Sequence, residues 1–122
     1  MSRATDAARA EKIALFDKLV ATNPSVKRKG DTMPYTSVNG NMFSVFTKAN
    51  TLALRLPAGA REAFLKKYKS RLSEQYGVVM KEYVEVPDAL LAKTRELKKV
   101  FDLSYEYAAS LKPKPTTKKK AR

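Results

Sequence analysis

The apolar positions change period several times along the chain, and each change marks an element. Ala10, Ile13, Phe16, Leu19 and Val20 recur at steps of three and four, while Arg9, Glu11, Lys12, Asp17 and Lys18 lie largely off that stripe. The spacing predicts an amphipathic helix over 5–22, capped by Thr5 or Asp6 and stopped at Asn23-Pro24. A basic loop, Ser25 to Gly30, follows, and the period then falls to two. Met33, Tyr35 and Ser37 alternate with Pro34, Thr36 and Val38 up to Asn39-Gly40. That dipeptide accepts the positive φ angles of a type I′ hairpin turn. A second strand is expected over 41–48, with Met42, Ser44 and Phe46 on one face and Phe43, Val45 and Thr47 on the other. After a turn at Ala49-Asn50, a third strand over 51–56 points Leu52, Leu54 and Leu56 one way.

Pro57 closes that strand and opens a helix over 58–73, with Phe64, Leu65, Tyr68 and Leu72 as its apolar side. Strand character returns over 76–86. There Val78, Met80, Val84 and Val86 share one face, Val79 and Tyr83 take the other, and Gly77 marks a bend. A further short strand around 73–76 is an optional addition. Pro87-Asp88 begins the last helix, whose stripe is Leu90, Thr94, Leu97, Phe101, Ser104, Tyr105 and Ala108; Pro113 and Pro115 end it. The order is α-β-β-β-α-β-α, an α+β fold with an antiparallel sheet packed by helices. Apolar residues on both sides of the second and fourth strands require cover on both sheet faces, from helices or from a second subunit. The 122 residues suit a single domain over 1–110, with a disordered Lys-rich tail over 111–122 too polar to fold alone.

The run KRKGDTMPYTSVNGNMFSVFTKANTLALRL, Lys27 to Leu56, resembles the amino-terminal domain of the TfoX/Sxy family. A basic residue before a Gly-containing strand, the Asn-Gly hairpin, Met-Phe opening the next strand and an aliphatic third strand carry the resemblance. The stretch EYVEVPDALLAKTRELKKVF, Glu82 to Phe101, is similar to that family's strand-to-helix junction, with its Val-Pro-Asp step. The likeness rests on order and spacing, since none of these motifs is catalytic. Family members often carry a longer Gly-rich segment where this chain has Gly30 to Pro34, and a Lys-rich tail stands where a second TfoX domain would follow. The resemblance implies a secretion-chaperone-like fold, often dimeric and without enzymatic activity.

Composition narrows the chemistry. The chain has no Cys and no His, which removes disulfides, thiol nucleophiles, imidazole acid–base catalysis and the usual zinc ligands. Glu82 and Glu85 lie three apart on a strand, so they point to opposite faces. Gly30, Gly40, Gly59 and Gly77 are isolated, which excludes phosphate-binding and dinucleotide loops. No enzyme activity, cofactor or metal is expected. The amino terminus lacks a continuous apolar run and holds three acids within its first 17 residues, against a signal peptide, a membrane span or a mitochondrial transit peptide. A cytoplasmic protein without membrane contact is expected, and the lack of Cys agrees.

Charge adds the remaining signal. Six of the 25 cations and none of the 12 acids lie beyond Ser110, so the body keeps 19 cations against 12 acids, a net +7 of the total +13. Candidate anion or nucleic-acid contacts are Lys27, Arg28 and Lys29; Lys66, Lys67, Lys69 and Arg71; and Lys118, Lys119 and Lys120, with Lys98-Lys99 as a further basic pair. Acids at Glu62, Glu74 and Glu96 interrupt these runs, as in solvated surface faces. Two functional readings follow. One is an interaction module binding a protein partner or a second copy of itself. The other is a nucleic-acid-binding accessory protein, with salt-sensitive non-specific contacts through the basic surface and tail. The aromatics at strand and helix spacings are expected in the core, with Tyr107 the most exposed.

Overall fold

The computed structural model describes residues 3–30, 33–75 and 77–112. It opens with α1 (Arg3–Val20), whose Phe16, Leu19 and Val20 are buried. The helix unwinds where Asn23-Pro24 requires it. Thr22 and Asn23 donate their amides to Leu19 and Val20, and the Asn23 side chain accepts the Ser25 amide at 3.0 Å. β1 (Tyr35–Val38) and β2 (Asn41–Phe46) then form a hairpin. Asn39 (φ 54°) and Gly40 (φ 80°) hold the positive φ pair expected of a type I′ turn.

β3 (Leu52–Arg55) is followed by α2 (Ala58–Lys67), β4 (Leu72–Gln75), β5 (Val78–Val86), the single turn α3 (Asp88–Leu91) and α4 (Thr94–Ser110). The strands form one five-stranded sheet in the order β1-β2-β3-β5-β4, antiparallel at every pairing. The protein is thus α+β, with four helices and five strands among the described residues. No helix among those residues is long and apolar enough to cross a membrane.

Cross-strand partners share a sheet face, and the register sorts the side chains. Phe46, Leu52 and Val86 form one row and Ser44, Leu54 and Val84 another; their apolar members join Phe16, Leu97 and Phe101 in the main core. The row Tyr35, Val45, Ala53 and Glu85 points the other way, and its Val45 and Ala53 are buried outside that core. Strict alternation would send Phe43 to that second face. Instead the pairing steps from Thr36–Ser44 to Ser37–Met42, leaving Phe43 as the extra residue of a β-bulge. Its ring meets Phe101 at 5.5 Å and Tyr105 edge-on at 5.7 Å. The two-sided apolar pattern of β2 is therefore partly a bulge, which the alternation could not reveal.

Three further expectations are corrected. The second helix stops at Lys67 rather than running to residue 73. Lys69 adopts φ 51° and the Ser70 amide reaches back to the Leu65 carbonyl at 3.0 Å, a Schellman closure that releases Leu72 into β4 opposite Val84. The optional strand is real, and the order gains a β. The last helix is two helices: Lys93 leaves helical geometry (φ −101°, ψ 75°), so both Leu90 and Leu91 are buried before α4 presents Leu97 and Phe101. Val78 and Val79 were expected to pack but are 64 % and 46 % exposed at the β4–β5 hairpin end. The run beyond Lys112, including Lys118, Lys119 and Lys120, lies outside the described residues.

Candidate functional site

α2 and α4 lie on the same side of the sheet and run antiparallel. Leu56 and Ala60 line one hollow with Leu103, Lys67 and Tyr68 line another with Glu96 and Val100, and Tyr68 hydrogen-bonds Glu96 across it. The groove between them has two halves. One is apolar, about 200 Å³, with Leu56 and Phe64 as its floor and Ala60, Ala63, Val100 and Leu103 as its walls. The other is an open cleft of about 600 Å³ lined by Lys67, Tyr68, Arg95, Glu96, Lys99 and Val100. Lys67 and Val100 border both. The sequence places these side chains by helical spacing: Ala60, Ala63, Phe64 and Lys67 share a face of α2, and Arg95, Lys99 and Leu103 form one ridge of α4 at four-residue steps.

Tyr68 organises the cationic half. Its ring packs on Phe64 at 4.7 Å, the Lys67 ammonium lies 5.3 Å from its centroid, and its hydroxyl donates to Glu96 Oε2 at 2.5 Å. That hydrogen bond, with burial and the Glu96 charge, pushes the phenol up to about 12. Glu96 is held below the ordinary carboxylate value. The Tyr68 hydrogen bond is the main cause; partial desolvation opposes it, and the charges of Lys93, Lys67 and Lys99 add to the lowering. The one acid lining this cleft is thereby engaged from several sides. Among the described residues Arg95, Lys99 and Lys67 form no close ion pair, and Glu96, on which the Lys67 and Lys99 charges act, is the one acid set against these three cations in the groove.

The remaining basic candidates distribute differently. Lys66 is exposed beside Lys67 on α2. Lys69 and Arg71 flank a shallower hollow with Tyr68, Ser70, Glu85 and Pro87, where Arg71 bonds Glu85 at 3.2 Å. Lys98 turns away to Asp102 at 2.5 Å, so only Lys99 of that pair serves the groove. Lys27, Arg28 and Lys29 lie beyond the opposite sheet edge, where Lys29 bridges to Tyr35 of β1. Four strand spacings separate that edge from β4, roughly 19 Å. Arg28 is bound by both Asp17 carboxylate oxygens, at 2.8 and 3.2 Å, and by the Gly30 carbonyl. The expected basic surface is therefore two separate patches. Arg95 and Leu103 were not singled out from the sequence, although the Arg95–Lys99–Leu103 spacing was there to be read, and Tyr68 was read only as part of the apolar side of its helix.

A second polar cluster closes the other end of the sheet. Arg55 binds Glu82 at 2.7 Å, the Tyr107 hydroxyl donates to Glu82 at 3.1 Å, and the Tyr83 hydroxyl donates to the Met42 carbonyl at 2.8 Å. The Arg55 guanidinium lies 5.9 Å from the Tyr83 ring and 5.8 Å from that of Tyr107. Tyr107 is thus half-buried, as are Tyr35, Tyr68, Tyr83 and Tyr105, with its ring and hydroxyl both engaged. Burial raises the Glu82 carboxyl, but hydrogen bonds from Arg55 and Tyr107 and the charges of Arg55 and Arg61 bring it below its ordinary value. Such a carboxylate is a poor general base and a good clamp. No group of three or more acids converges as a metal site among the described residues. No family model, curated protein or solved structure matches the chain.

Proposed function

We propose that this chain is a non-enzymatic interaction module of the TfoX/Sxy amino-terminal type that binds a partner protein through the α2–α4 groove. The observation that carries this reading is the continuity of the groove, in which an apolar pocket around Phe64 and Leu103 runs into three cations set against a single carboxylate. Protein partners supply both kinds of group along one segment. The family likeness rests on the spacing of the Lys27–Leu56 and Glu82–Phe101 runs and on the Asn39-Gly40 turn, and it adds the expectation of contact-based rather than catalytic work. A pull-down from native cell extract, with and without nuclease, tests the reading. Capture of a protein that survives nuclease treatment supports it, and capture that vanishes with nuclease overturns it. Light scattering across micromolar concentrations decides whether a second copy of the chain is a partner.

A nucleic-acid accessory role is the second reading, favoured by the Lys66, Lys67, Lys69 and Arg71 series beside Arg95 and Lys99. It predicts binding to short DNA that weakens steeply with salt. The engagement of the Tyr68 ring by Phe64 and Lys67 and the pairing of Arg28 with Asp17 weigh against it, because the groove offers no free stacking face and the Lys27–Lys29 run is partly neutralised within the fold.

A further inference from the structure

Resting on the protein-binding reading, we infer that the α2–α4 groove receives an acidic segment with an apolar anchor: one apolar side chain between Ala60 and Leu103, and carboxylates among Lys67, Arg95 and Lys99. The polarity of the groove fixes the order. Ala60 and Lys67 are seven residues apart on α2, so the two halves are separated by about 10 Å. An extended segment covers that span in about three residues. Leu103 is 40 % exposed and Phe64 forms the floor beneath it, so an aliphatic side chain seated there removes apolar surface from water on both partners.

Charge selects the rest of the occupant. The cleft presents Lys67, Arg95 and Lys99 against Glu96 alone, and Glu96 already accepts the Tyr68 hydroxyl. Carboxylates entering this half meet cations that lack ion pairs within the described fold. Arg95 sits in the first turn of α4, where a cation is disfavoured by the helix dipole, so helix stability is no reason for its placement. A second copy of this chain is a poor occupant, because it carries +13 and its acids are scattered singly among cations. A phosphate backbone satisfies the cations but leaves the Phe64–Leu103 half empty.

The test uses the full chain and a short synthetic peptide with one leucine followed, after a two-residue gap, by a run of glutamates. Amide shifts in a heteronuclear correlation spectrum should move at Ala60, Ala63, Lys67, Arg95, Lys99 and Leu103. Replacing the leucine by serine, or the glutamates by glutamine, should each weaken binding by about tenfold or more. So should Lys99→Glu and Leu103→Asp, both exposed positions, with the dispersion of the remaining amide resonances showing that each variant is folded. The inference is overturned if the peptide leaves groove resonances unmoved, if glutamine and glutamate peptides bind alike, or if an oligonucleotide moves the same residues while the peptide does not. A nuclease-resistant partner captured equally by wild type and by Lys99→Glu would overturn the inference and remove the groove as the site, leaving protein binding to another surface.

Discussion

The Tyr68 hydroxyl and the Glu96 carboxylate are joined by a 2.5 Å hydrogen bond across the groove between α2 and α4. The bond favours the protonated phenol and the ionised carboxylate together, so it ties the helices most firmly at intermediate pH. Tyr68 has its folded value raised from 10.0 to about 12. Its stabilisation is whole below pH 10 and is lost as pH climbs through about 12. Glu96 is shifted down from 4.5, so its share is whole above the ordinary carboxylate range and is lost as pH falls through the lowered value. A tyrosinate absorbance titration, taken as the difference between wild type and Tyr68→Phe, should place the phenol near 12. In Glu96→Gln it should return toward ten. An unchanged titration in that variant would remove the hydrogen bond as the cause.

Ser104 performs a different kind of closure. Its fully buried hydroxyl lies 3.0 Å from the Phe43 carbonyl and 2.6 Å from the Arg55 carbonyl. The hydroxyl has one proton, which the shorter distance assigns to the Arg55 carbonyl, so α4 supplies a donor to the β3 backbone beside the Phe43 bulge. Ser104→Ala leaves this buried position without a donor and should cost about 1–3 kcal/mol. The check is a lower urea midpoint at unchanged slope, and a loss under about 0.5 kcal/mol would mean that the carbonyls are satisfied elsewhere.

What was legible in the sequence divides along local and long-range lines. Asn39-Gly40 announces its turn because the required φ angles are a property of those two residues. The buried stripe of Leu97, Phe101, Ser104 and Ala108 announces α4 for the same local reason. The Phe43 bulge was hidden, because register belongs to the pair of strands and not to either one. The groove was hidden too, since Lys67 and Lys99 become neighbours only when both helices pack against the sheet.

The early end of α2 is a further case, and it carries its own prediction. Lys69 occupies a left-handed position (φ 51°) that normally selects glycine. The strain of a side chain in that conformation is of order 1 kcal/mol. Lys69→Gly should therefore stabilise the protein by about 0.5–1 kcal/mol, offset in part by the looser unfolded chain. Thermal unfolding should show a midpoint rise of a few degrees; a fall would show that the Lys69 side chain contributes more than its backbone costs.

Thr36 and Ser44 face each other across β1 and β2, both fully buried, with their hydroxyls hydrogen-bonded. They sit in the row with Leu54 and Val84, so their polarity is an exception on the core face of the sheet. Each hydroxyl is tolerated there because the other accepts or donates. Thr36→Val alone strands the Ser44 hydroxyl, and Ser44→Ala alone strands that of Thr36; either should cost about 1–3 kcal/mol. The double variant removes both polar groups, and apart from the small volume lost at Ser44 it leaves nothing unsatisfied. Its cost should be well below the sum of the singles, with a coupling of about 1 kcal/mol or more in a double-mutant cycle. Additive costs in the denaturation midpoints would mean that each hydroxyl has another partner, and that the pair does not hold the β1–β2 register.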